Sequence, residues 1–169
     1  LNNFPFKRKQ GQVSLKRLEE LLAQAERLLE GSPHEAVEPA QSALHLAQQQ
    51  GQPKAQQRSE LLLAKAHFQS GNAKLALGHL QVLEAQPLGP RQSTEVALLL
   101  GRCHNEMGDN PEATAHLVKA VQQAQAGGFS DLQSAALNAL AGVYYAQGNY
   151  VEALMTLNQA VQLVRVLGQ

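Results

Sequence analysis

Four glycines set the frame of this chain. Gly31, Gly71, Gly108 and Gly148 each stand between two helix-forming stretches, and they recur at intervals of 40, 37 and 40 residues. A period of this length signals one small unit used several times, and such units need neighbours to cover their apolar sides. The turns read Glu30-Gly31-Ser32-Pro33, Ser70-Gly71-Asn72-Ala73, Met107-Gly108-Asp109-Asn110 and Gln147-Gly148-Asn149-Tyr150. Glycine suits the left-handed backbone that closes a helix. The Ser, Asn or Asp after it is expected to cap the next helix by accepting backbone N–H bonds. Pro33 and Pro111 fall near the starts of second helices, where a missing N–H does little harm.

Counting from each glycine brings out a common register. Five residues on stand Ala36, Ala76, Ala113 and Ala153; nine on, Ala40, Leu80, Leu117 and Leu157; twelve on, Ala43, Leu83, Ala120 and Ala160. These offsets trace one small-apolar stripe along a helix of period 3.6. Before the glycine, Leu63, Leu100 and Leu140 stand eight back, Ala64, Gly101 and Ala141 seven back, and His67, His104 and Tyr144 four back. The pattern predicts helices over 15–30, 34–50, 54–70, 73–86, 91–107, 111–126, 131–147 and 150–167. Pro87-Leu88-Gly89-Pro90 and Gly127-Gly128 break the chain between repeats.

This register resembles the tetratricopeptide repeat family. The nearest stretch is Leu140-Ala141-Gly142-Val143-Tyr144-Tyr145-Ala146-Gln147-Gly148-Asn149-Tyr150, followed by Ala153, Leu157 and Ala160. The third repeat is also similar, the second less so. The first lacks the aromatic, and its helix of Leu18, Leu21, Leu22, Ala25, Leu28 and Leu29 fits only after a one-residue shift. The resemblance implies an all-α fold, a right-handed superhelical stack of about four helix-turn-helix hairpins, or α-solenoid. The repeat domain is expected over 14–169, with repeats at about 15–50, 54–86, 91–126 and 131–167, and residues 1–13 as an N-terminal tail or linker. The spacing of 37 to 40 exceeds the family's usual 34, which resembles the long repeats of bacterial signalling proteins. The extra length is expected in the second helices and the links after them.

Composition narrows the function. Fourteen Lys and Arg balance fourteen Asp and Glu, so no global field draws the chain to nucleic acid or anionic membrane. Gln is abundant at 22 residues, giving a neutral surface instead of a basic stripe. Cys103 is the only cysteine, which rules out an internal disulfide and a cysteine zinc cluster. A reducing, cytoplasmic setting is expected. Apolar runs fall short of the roughly 18 residues that span a bilayer. The chain starts at Leu1 instead of Met, as a fragment would. Its basic-aromatic start, Phe4 to Lys9, reads as a linker or tail.

Chemistry-bearing motifs are sparse. The six histidines form no H-x-x-x-H or H-E-x-x-H pattern, and neither G-x-G-x-x-G nor a P-loop occurs. His67 and His104 take the place of the repeat's aromatic, so packing accounts for them. Cys103 and His104 point about 100° apart on a helix and make a poor nucleophile–base pair. Glu19 and Glu20 read as solvated. No catalytic residue, metal site or cofactor is expected, and the chain is not expected to be an enzyme.

The resemblance implies a ligand groove lined by first helices, at thirteen, ten, six and three residues before the turn glycine. The candidates are Arg58, Leu61, Lys65 and Phe68 in the second repeat, Glu95, Leu98, Arg102 and Asn105 in the third, and Asn138 and Tyr145 in the fourth. Lys65 and Arg102 hold equivalent positions, suited to an acidic group on a ligand. Phe68 and Tyr145 offer flat anchors, and Leu61 and Leu98 an apolar floor in place of a carboxylate clamp. The expected partner is a protein or peptide with an acidic residue, with no nucleic acid and no membrane. The expected function is that of a protein-binding scaffold; the alternative is a sensor module of a larger signalling protein or transcriptional regulator. The apolar end, Val161 to Leu167, is expected to continue into more protein, or to pack on a partner or a second copy.

Overall fold

The computed structural model describes the backbone of residues 4–167 and the side chains of residues 14–165. Among the described residues every element is helical. The helices are α1 (Phe4–Gly31), α2 (Pro33–Gln49), α3 (Pro53–Gln69), α4 (Ala73–Glu84), α5 (Pro90–Glu106), α6 (Asn110–Gly127), α7 (Ser130–Ala146) and α8 (Tyr150–Leu167). Prolines open α2, α3 and α5, where the locked φ is already helical and the absent N–H would have had no partner. Seven helices begin and end within two residues of the expected bounds. The eighth, α1, starts at Phe4, so the stretch read as a tail is helical from that point; the side chains of residues 1–13 lie outside the described residues. The second helices α2, α6 and α8 run 17, 18 and 18 residues, and α4 only 12, stopping short of Pro87.

Three of the four turns close as the glycines foretell. Gly71, Gly108 and Gly148 have φ of 78°, 77° and 79°. At each, the residue after the glycine donates its N–H five residues back: Asn72 to the His67 carbonyl at 2.8 Å, Asp109 to His104 and Asn149 to Tyr144 at 2.9 Å each. This is the Schellman closure. The first turn differs. Gly31 stays within α1, and the break falls at Ser32, φ −138° and ψ 71°. Pro33 is the reason, because a proline excludes the helical region for the residue before it. The expected side-chain caps are also absent at Ser32 and Asp109, neither of which makes a side-chain cap hydrogen bond. The Asp109 carboxylate turns back instead to lie 3.3 Å from His104 Nδ1.

The chain divides into two compact units between His79 and Leu80. In the first, α1, α2 and α3 pack on one another around Leu18, Leu22, Ala25, Ala40, Ala43 and Leu63. Pro39 is accommodated inside α2 as a buried residue. In the second unit, α5, α6, α7 and α8 pack in succession, and α5 also touches α7. Its core joins Leu98, Ala113, Leu117, Ala120, Leu132 and Leu140. The alanine stripe is buried in all four repeats, at Ala36, Ala76, Ala113 and Ala153. Gly101 marks a close approach of α5 to α6: a Cβ there would stand 2.5 Å from Leu117 Cγ and 3.1 Å from the Ala113 carbonyl.

Candidate binding faces on the first helices

Successive first helices lie side by side within each unit, α1 with α3 and α5 with α7. Helical spacing brings the candidate residues of each helix onto one side. Their fates then diverge.

In the first unit, Arg58 is engaged by its own fold. Its guanidinium reaches Glu26 of α1 at 2.7 Å and Glu19 at 3.2 Å. The arginine therefore ties α3 to α1 and arrives at any ligand already neutralised. Glu19, read as a solvated carboxylate, is one of its two partners. Leu61, Lys65 and Phe68 follow on α3, each half-buried.

In the second unit, Leu98 is buried and belongs to the core, so it offers a ligand little surface. Glu95 is half-buried, 3.8 Å from Arg91. Arg102 and Asn105 of α5 and Asn138 and Tyr145 of α7 are exposed. Tyr145 stands out at 67 % exposure, and its ring meets that of Tyr150 edge-on at 5.3 Å. Such edge-to-face contact steadies both rings while most of their surface stays exposed.

Sequence reasoning missed two participants. Tyr150 backs Tyr145 from the first turn of α8, and its place two residues past the turn glycine was the available signal. Arg91 is the other. It grips Asp131 with both terminal nitrogens, Nη1 to Oδ1 at 3.2 Å, and its guanidinium sits 5.4 Å from the centre of the Phe129 ring. Asp131 follows Arg91 by 40 residues, one repeat, so the pair pins the starts of two consecutive first helices. The bond to Arg91 holds the Asp131 carboxyl below its ordinary pKa.

The remaining reactive groups serve packing. His67 stacks on His79 and His104 on His116. His79 Nδ1 lies 2.6 Å from the buried Glu60 carboxylate. Cys103 is fully buried, and burial pushes its thiol up to about 11, far from the thiolate a nucleophile needs. Among the described residues no group of three or more His, Cys, Asp or Glu could hold a metal ion. No described helix is long and apolar enough to cross a membrane.

Consecutive helical hairpins, joined by left-handed glycine turns and packed through small-residue stripes, define a helical-repeat protein. Residues 93–165 match the family model described as tetratricopeptide repeat. The matched stretch runs from α5 to α8. No curated protein matches the chain. Tetratricopeptide repeats generally mediate contacts between proteins.

Proposed function

We propose that this chain is a protein-interaction scaffold, which holds an extended or helical peptide segment against the exposed sides of its first helices. The observation that carries the reading is the set Arg102, Asn105, Asn138 and Tyr145. These four side chains stand exposed on two neighbouring helices whose other sides are sunk in the core. One cation, two amides and an aromatic give charge recognition, backbone hydrogen bonding and a flat anchor together. In the first unit, Lys65 holds the position equivalent to Arg102 and offers a cation of its own to an acidic residue.

The test is an affinity capture of partners from the source cell, comparing the native chain with the Lys65→Glu, Arg102→Glu double variant and with Tyr145→Ala. Loss of the same captured protein in both variants, with helical content unchanged, supports the assignment. Undiminished capture by both removes it.

A further inference from the structure

The last described helix carries a stripe that its own unit leaves uncovered. Tyr150, Leu154, Leu157, Val161 and Val164 follow one another at intervals of four, three, four and three, the spacing of a helix-pairing seam. All five are exposed, from 43 % at Leu157 to 63 % at Tyr150. Beside them Ala153, Thr156 and Ala160 are buried, so the seam borders the side of α8 turned into its unit. The preceding repeat shows what such a surface normally meets. On α6, Leu117, Val121 and Ala124 hold the same offsets from their glycine as Leu157, Val161 and Val164, and they pack into the core that α7 completes. Of the twelve large hydrophobic residues exposed in the described chain, seven are on α8.

We infer that this seam pairs with the same seam of a second copy, α8 lying antiparallel to α8 about a two-fold axis near Leu157. The inference is independent of what the first helices bind. Three observations favour a second copy as the occupant. Five large side chains at this exposure present on the order of 500 Å² per copy, so a symmetric pair hides about 1,000 Å², the threshold of a specific interface. The flanks of the seam, Asn158 and Gln162, are uncharged, and Arg165 is the one cation there, so two copies meet with little like-charge repulsion. Antiparallel packing also sets the negative C-terminal end of each α8 beside the positive N-terminal end of the other. A head-to-tail arrangement is disfavoured, because the exposed residues of α1 include Lys16, Arg17, Glu19, Glu20, Glu26 and Arg27, charges that would lose water against an apolar stripe.

Sedimentation equilibrium of the 169-residue chain, from about 5 to about 200 µM, tests this. The mass is expected to rise from 18.2 kDa towards twice that value. Leu157→Glu with Val161→Glu should stay monomeric at every concentration. Gln159→Glu, on the opposite side of α8, should associate like the native chain. Because a two-fold axis brings position 157 against itself, Leu157→Cys should link two copies under oxidised glutathione, while the buried Cys103 stays unreacted. This variant needs no disruption of the seam, so it reads the geometry even if the glutamate variant unfolds. A native chain that remains monomeric throughout overturns the inference. So does a dimer that persists in the folded glutamate variant, or one that forms without the 157–157 link.

Discussion

His104 of α5 and His116 of α6 stack face to face across their hairpin, ring centres 5.5 Å apart and planes inclined by 9°. His67 and His79 repeat the arrangement one repeat earlier, at 5.5 Å and 4°. The four occupy the same two register positions, four before and eight after the turn glycine. Repeat four places Tyr144 and Thr156 there instead, and repeat one Arg27 and Pro39. A stacked imidazole pair packs well when neutral and repels when both rings are protonated.

Stability should therefore fall in mild acid. Burial, followed by the charge of His79, lowers the His67 pKa below its ordinary value. Burial also lowers that of His116; Glu84 opposes the shift, and His104 adds to it. Asp109, Glu112 and Lys119 stand near the second pair, and Glu60 beside the first. For an imidazole with a depressed folded pKa, the unfolded chain takes up its proton first. Stability present above about pH 6.5 is then lost as pH falls through the folded value. Thermal melts at about pH 7.5 and about pH 5.5 should show a lower midpoint in acid. The double variant His104→Tyr, His116→Thr, borrowed from repeat four, should lessen the drop; equal midpoints for the native chain at both pH values would refute the account.

Gly101→Ala should destabilise the second unit. Alanine in a helix interior normally gains up to about 1 kcal/mol over glycine. Here the new methyl would stand 2.5 Å from Leu117 Cγ with the Ala113 carbonyl behind it. Overpacking of this kind costs about 1–3 kcal/mol, so the clash wins. A lower midpoint in urea unfolding is the expected result. A rise would mean that α5 and α6 separate without loss.

Cys103 should resist thiol reagents in the folded chain and react promptly once unfolded. It is fully buried, and its thiol is pushed up to about 11 by that burial, so almost no thiolate exists at neutral pH. Labelling with an aromatic disulfide reagent, with and without denaturant, measures the contrast. Equal rates would show that the α5–α6 hairpin opens freely.

The Asp131 carboxyl should titrate below its ordinary range, because the Arg91 guanidinium binds its charged form. Replacing Arg91 with Ala should return it towards the usual value, which a carbon-detected NMR titration resolves. Both side chains are exposed, so added salt should weaken the effect. An unchanged titration in the variant would mean that the contact does not persist in solution.

Much of this molecule was legible in its residues. The glycine period, the alanine stripe and the prolines fixed the number of hairpins and most helix ends, because helix closure and close packing depend on local backbone freedom and side-chain size. Position counting also placed Arg102, Asn105, Asn138 and Tyr145 on exposed sides of first helices. It could not see that Arg58 is held by two carboxylates from another helix, or that Leu98 falls inward; both depend on residues a full hairpin away.

By itself, the sequence determined a chain of helical hairpins with a shared register, since periodicity and turn chemistry act within a few residues. Only the tertiary structure decided which charged groups are spent on one another, that histidines four before and eight after a glycine meet ring on ring, and that the α8 stripe stays open where its α6 counterpart is covered. Those outcomes turn on distances between helices, from the two arms of one hairpin to segments a repeat apart, which no local preference encodes.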